Sequence, residues 1–209
     1  MTPEEAPSKI TEDMMGKAGT TVKEGIINSL KGVGEIENEI LGLVRNTVAD
    51  TLKATGSVAN ETLTVTKDIL QATIKATEEV GTGLLLSVKS VVKGLVMGVN
   101  DVGGDVLSVA KQAIKGTVKG AAEIGGDVAQ VTKRAVDGII EAAKETGSNV
   151  EDVAKVTVNG AIEAAGSIGN TAVKAVKDVL VGAVEGVKEV ASTALPKPRS
   201  TSETSTPKK

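Results

Sequence analysis

The side chains able to do chemistry in this chain are carboxylates, amines and hydroxyls, because His, Cys, Phe, Tyr and Trp are absent from all 209 residues. That inventory removes His/Cys zinc sites, Ser/His/Asp and Cys/His nucleophilic catalysis and the commonest general base. It also removes disulfides and thiolate sites. Among the carboxylates, Glu78, Glu79 and Asp101 recur at repeat spacing with polar neighbours, which reads as a solvated face, and no acid pair stands out as catalytic. The dipeptides Gly103-Gly104 and Gly125-Gly126 suggest phosphate loops, but no Gly-Lys-Ser/Thr signature follows and none fits the dinucleotide pattern. We therefore expect no catalytic residue, no metal site and no cofactor, and a protein that is not an enzyme.

The basic residues form a pattern of their own. Lys23, Arg45, Lys67, Lys89, Lys111, Lys133, Lys155 and Lys177 lie 22 residues apart, in one register. Such a row is too sparse to follow a phosphate backbone, the net charge is −3, and no ring is available to stack on bases. No nucleic-acid partner is expected. The terminal Lys197, Arg199, Lys208 and Lys209 read as a solubilising tail.

That row belongs to a wider repeat. From Gly16, 22-residue blocks begin at Asn38, Asn60, Thr82, Gly104, Gly126, Ser148 and Asn170, so eight blocks reach Ala191 without a gap. The basic residue is position 8 of each. Position 11 is always aliphatic (Ile26, Val48, Leu70, Val92, Ile114, Val136, Val158, Leu180), and so is position 15 (Leu30, Leu52, Ile74, Val96, Val118, Ile140, Ile162, Val184). Position 17 holds only Gly or Ala, and Gly94, Gly116, Gly138, Gly160 and Gly182 occupy position 13, a small-residue ridge that lets backbones approach closely. All five prolines lie outside the array and all 24 glycines inside it. The organisation read from this is a disordered tail over 1–15, helical repeats over 16–191 and a disordered Ser/Thr/Pro/Lys tail over 192–209.

Apolar positions 3, 4, 6, 7, 10 and 11 recur eleven residues later, a period of about 3.67 residues per turn that predicts α-helix and excludes alternating strands. The fold class is all-α. Each apolar face covers about half the circumference, wider than a surface helix needs, so a lone helix is under-buried and its face must find a partner. Two arrangements fit. One is a continuous or lightly kinked helix on the order of 260 Å long. The other is an array of about 18-residue helices in a bundle or solenoid, broken at the Gly junctions with Asp105, Asp127 and Asn149 as N-caps. Charge favours the first over simple antiparallel hairpins. The position-8 row edges the apolar face on one side and Glu39, Glu61, Asp105 and Asp127 at position 2 edge it on the other, so parallel neighbours would match Lys to acid.

With the repeat laid out, the chain resembles the eleven-residue-repeat lipid-surface proteins: synucleins, perilipins and exchangeable apolipoproteins. Thr21-Val22-Lys23-Glu24-Gly25-Ile26 looks like the synuclein Lys-Thr-Lys-Glu-Gly-Val unit, and Gly182-Ala183-Val184-Glu185-Gly186-Val187 is a second local echo. The resemblance implies helices that order on membranes, droplets or lipoprotein particles. Read with the repeat, it leads to a non-enzymatic coat that dips its aliphatic face into a lipid or granule surface, peripherally and without spanning it. The alternatives are a self-associating structural repeat protein (bundle, solenoid or filament, as a homo-oligomer) and a stress-protective, conditionally folded protein. The start of the chain lacks a secretory pattern, and the apolar stretch from Gly83 to Val99 is interrupted by Lys89 and Lys93, which points to the cytoplasm.

Overall fold

The computed structural model describes residues 19–25, 36–55, 58–80 and 84–181. Each block contributes one helix: α1 (19–25), α2 (Ile36–Thr55), α3 (Val58–Val80), α4 (Leu84–Asp101), α5 (Val106–Glu123), α6 (Val128–Thr146), α7 (Val150–Ile168) and α8 (170–181). The outer parts of the predicted organisation, 1–15 and 192–209, lie outside the described residues.

The fold is the all-α repeat that the period predicts, but a continuous helix is not what the chain forms. Position 22 stops α4, α5, α6 and α7. Gly103, Gly125 and Gly147 take φ near +70°, the left-handed region open to glycine, and the next amide reaches back across the turn, as Gly104 N does to Val99 O at 2.9 Å and Gly126 N to Ala121 O at 2.7 Å. Position 2 restarts the helix two residues later. The Asp105 carboxylate accepts from the amides of Leu107 (2.9 Å) and Ser108 (3.2 Å), and the Asn149 side chain accepts from those of Glu151 (3.0 Å) and Asp152 (3.2 Å). Asp127 caps α6 through the Gln130 amide at 3.0 Å. Stop and start signals therefore sit within four residues. Of the acids expected to form a charged edge of a long helix, Asp105 and Asp127 are caps, whereas Glu39 and Glu61 lie in the first turns of α2 and α3.

Helices two apart are parallel neighbours. Position 94 of α4 lies on residues 41 and 44 of α2, and position 98 lies on 45 and 48, so both helices advance in the same direction. Position 116 on residue 70 and 120 on 74 show the same for α5 and α3. A link of a few residues must carry the chain from the end of α4 to the start of α5, and α6 must begin again at the end where α4 began. Consecutive helices therefore run antiparallel. The result is two layers, α2, α4 and α6 in one and α3, α5 and α7 in the other, with consecutive helices packed across the interface. An interior helix thus touches neighbours on both sides of its layer and in the layer opposite, which is why half of its circumference is apolar.

The partner that the aliphatic face requires is the chain itself. Ile40, Leu52, Ile69, Leu95, Ile114 and Ile139 are among the largest fully buried side chains of a single core that contains no ring. Small residues make this possible, since Ala110, Ala113, Ala121, Ala142, Ala143, Ala161, Ala164 and Ala165 are also buried. Three buried threonines satisfy their hydroxyls within the helix, Thr73 donating to Ile69 O at 2.8 Å, Thr132 to Val128 O at 2.6 Å and Thr157 to Val153 O at 2.7 Å, whereas the buried hydroxyls of Thr66 and Thr117 make no hydrogen bond.

Candidate functional site

The residues singled out by the repeat converge on the seams between parallel neighbours within a layer. A seam has two parts, a glycine contact and an ion-pair edge. In the α2/α4 seam a Cβ on Gly94 would stand 2.9 Å from Leu41 O, and one on Gly98 would stand 2.7 Å from Arg45 O. In the α4/α6 seam a Cβ on Gly138 would run into the Lys89 carbonyl. Backbone meets backbone at these points, and only glycine permits it. In the α5/α7 seam Gly160 sits on Ile114 and Lys111.

Along the same seams the basic row finds acids of the next helix in its layer. Arg45 grips Asp101 with two hydrogen bonds, Nε to Oδ2 at 2.6 Å and Nη2 to Oδ1 at 2.9 Å. Lys89 Nζ lies 2.7 Å from Glu141, and Lys93 reaches Glu145 at 2.6 Å and Glu141 at 3.4 Å. Lys115 and Lys111 close on Glu163 at 2.6 and 3.6 Å. The hydrogen bond that Arg45 donates to Asp101 raises the Arg45 pKa. Burial alone would pull the Lys93 ammonium down, but its hydrogen bond and charge contact with Glu145, joined by Glu141, outweigh that and raise it. Burial likewise pushes the Glu141 carboxyl up, and Lys89 and Lys93 more than reverse it. Pairs this exposed add little to stability, so they serve the register of the layer more than its strength.

Parallel matching of Lys to acid is thus realised, but with different acids from those expected. The partners stand at positions 16 and 20, not at position 2. A second lysine at position 12, in Lys93 and Lys115, was also missed. Its signal is visible in retrospect: lysine enters position 12 in α4 and α5, and glutamate enters position 16 two blocks later, in α6 and α7.

The predicted aliphatic columns fall inside the array. Val48, Leu52, Leu70, Val92, Val96, Ile114, Val118, Val136, Ile140 and Leu180 are buried, while Ile74, Val158 and Ile162 are half-buried. Ile26, Leu30 and Val184 lie outside the described residues. Of the basic row, Lys23, Arg45, Lys89 and Lys111 are half-buried, and Lys67, Lys133, Lys155 and Lys177 are exposed. Lys155 turns to its own helix, with Glu151 at 2.8 Å and Asp152 at 3.8 Å.

One seam is left partly open. Between α3 and α5 runs a groove of about 490 Å³ with Leu70, Ile74, Gly116 and Gly120 among its lining residues. Lys67, Lys115 and Lys119 line it against Asp68 and Glu123, one more cation than carboxylate. Burial raises the Asp68 carboxyl above its ordinary range. Among the described residues no cluster of acids is arranged to hold a metal ion, and no helix is long and apolar enough to cross a membrane.

Sequence, fold and seams together define a class, the all-α helical-repeat proteins. No protein-family model matches the chain, and no curated protein does. Among solved structures the chain is similar to the crystal structure of a de novo designed helical repeat protein, DHR7, with 18% sequence identity and a TM-score of 0.47, over 85% of this chain and 95% of that one.

Proposed function

We propose that this chain is a non-enzymatic structural protein, a self-supporting helical array that offers a stiff body of repeating units. The observation that carries the reading is the use of the conserved-register residues. The aliphatic columns, the glycine ridge and much of the basic row are engaged in seams that recur along the array, as from α2/α4 to α4/α6. A repeat whose residues serve its own neighbours behaves as a sum of units and nearest-neighbour interfaces. Circular dichroism in plain buffer tests it. Helix with a cooperative thermal transition, in the absence of any lipid, is expected; a coil that becomes helical only with vesicles would overturn it.

A second reading, the lipid-surface coat, is supported by one feature. Twenty-two residues are six turns at 3.67 residues per turn, so the stripe keeps its phase if the junctions become helical. Because the columns are shielded within the array, such a coat has to open the seams first. Vesicle-bound chain would then show more helix than the free chain and lose the contacts between α4 and α6, read as accelerated hydrogen exchange across Val91 to Val99. In either reading the protein works in the cytoplasm, at most peripheral to a bilayer.

A further inference from the structure

The α3/α5 seam breaks the charge pattern of the other seams. Elsewhere a basic residue at position 8 meets a carboxylate of the next helix in its layer, Arg45 with Asp101, Lys89 with Glu141 and Lys111 with Glu163. Between α3 and α5 the same register sets Lys67 against Lys119, which holds the place of Glu141 and Glu163. Both lysines are exposed, and neither forms an ion pair with a described residue. Lys115 does not relieve the imbalance. Its partner Glu163 also serves Lys111, so one carboxylate answers two lysines. Around the groove, Lys67, Lys111, Lys115 and Lys119 therefore stand against Asp68, Glu123 and Glu163, one cation in excess. A single bound monoanion restores neutrality.

Beneath these charges the groove is aliphatic. Leu70 and Ile74 lie opposite Gly116 and Gly120, which bring no side chain to it, and Leu63 lines it while 44% exposed. No ring is present to stack on a flat ligand, so the walls suit a flexible alkyl chain. Leu63 and Leu70 are about 10 Å apart along α3 at about 1.5 Å per residue. The volume of about 490 Å³ lies within the ordinary range of small-molecule sites. Thr66, which also lines the groove, is buried with a hydroxyl that makes no hydrogen bond, so a donor next to Lys67 in the chain stands unused. Glu123, three residues beyond Gly120, stands at the other end and repels an anion.

We propose that the α3/α5 groove binds a medium-chain fatty-acid anion from solution. The carboxylate sits between Lys67 and Lys119 and takes the place of the acid that this seam lacks, and the alkyl chain runs from Leu70 toward Leu63. The head relieves the repulsion between the two lysines, and the chain removes the exposed part of Leu63 from water. Both halves of the ligand are needed. A small anion leaves the aliphatic wall wet, and a neutral amphiphile leaves the lysines facing each other. The site goes beyond the structural reading above, but it exists only in the folded array.

Isothermal titration calorimetry of the full chain with decanoate, kept below its micelle concentration, tests this. Saturable binding of one decanoate per chain is expected, and decyl maltoside, acetate and phosphate should each bind at least tenfold more weakly. Lys119→Glu supplies the missing acid and should weaken decanoate binding at least tenfold, while the thermal transition by circular dichroism holds or rises. Leu63→Asn, at an already exposed position, should weaken it about fivefold through lost apolar contact. Lys133→Gln, at an exposed lysine of α6 outside the groove, should leave the affinity unchanged. No saturable uptake of decanoate, equal affinity for decyl maltoside or phosphate, or a decanoate site indifferent to Lys119→Glu would overturn the proposal. If the chain is helical and cooperative in buffer yet takes up no decanoate, only the site falls; if it is a coil there, the structural reading falls with it.

Discussion

The α3/α5 seam closes differently from the seams of the α2/α4/α6 layer, although the same columns build both. In the α2/α4/α6 layer, position 13 or 17 meets a carbonyl of the neighbouring backbone, and the edge is zipped by Arg45–Asp101 and by Lys89 and Lys93 with Glu141 and Glu145. In the α3/α5 seam of the other layer, Gly116 and Gly120 face the tips of Leu70 and Ile74 instead of backbone. The edge there presents Lys67 and Gln71 to Lys119 and Glu123, and the groove opens between them. Small residues at one column are thus necessary for close approach but not sufficient. Whether the helices meet backbone to backbone depends on how far the aliphatic side chains opposite intrude.

The largest expected effect comes from closing the tightest glycine. Gly138→Val places a branched side chain on the Lys89 carbonyl and should lower stability by about 3 kcal/mol, seen as a large drop in the urea midpoint. A paired comparison then separates the α2/α4 seam from the α3/α5 seam. Gly98→Ala meets the Arg45 carbonyl at 2.7 Å and should cost about 1–2 kcal/mol even after its gain in helix propensity. Gly116→Ala meets only Leu70 Cδ1, a tip that can turn aside, and should be neutral or gain up to about 1 kcal/mol. Equal losses for the two would mean that the seams are packed alike, and the comparison would fail.

Smaller effects are expected at the edges. Glu145→Gln removes the Lys93 partner and should cost about 0.5 kcal/mol, a loss that shrinks in high salt. Lys119→Glu gives the open seam the acid that α6 has at the same position. It should gain a few tenths of a kcal/mol, roughly one exposed pair, measured by chemical denaturation. Acid titration probes the caps. Hydrogen bonds from Ser108 hold the Asp105 carboxyl below its ordinary range, and the Gln130 amide does so for Asp127. With folded pKa values depressed, the stability they contribute is present above the unfolded value near pH 4 and is lost as pH falls through the folded values. Asp105→Asn keeps a capping acceptor but cannot titrate, so its thermal midpoint should fall less between pH 5 and about pH 2 than that of the unmodified chain.

Much of the architecture is legible in the residues. The period of 22 marks the helices one by one, Gly at position 22 and Asp or Asn at position 2 mark the junctions from α4 to α7, and the exclusion of proline marks the array. The charge pattern favours a continuous helix, yet the chain breaks at its glycine junctions. Either reading satisfies the eleven-residue period, because junction residues Gly103 to Asp105 keep the phase whether or not they are helical. The width of the apolar face held the better clue. Half a circumference is more than a helix lying on one surface needs, and it suits a helix with neighbours on three sides. The seam partners were harder to see, since Lys89 and Glu141 are 52 residues apart and belong to helices that are not adjacent in the chain.

The residues alone thus determined helix, register, helix ends and which columns are buried, because these follow from local backbone sterics and from the spacing of aliphatic side chains. Tertiary packing decided which helices are neighbours, which acid each lysine meets, and which glycine faces a carbonyl instead of a leucine tip. Those choices depend on distances between helices, set by the combined volumes of side chains far apart in the chain, and no single stretch of sequence contains that sum.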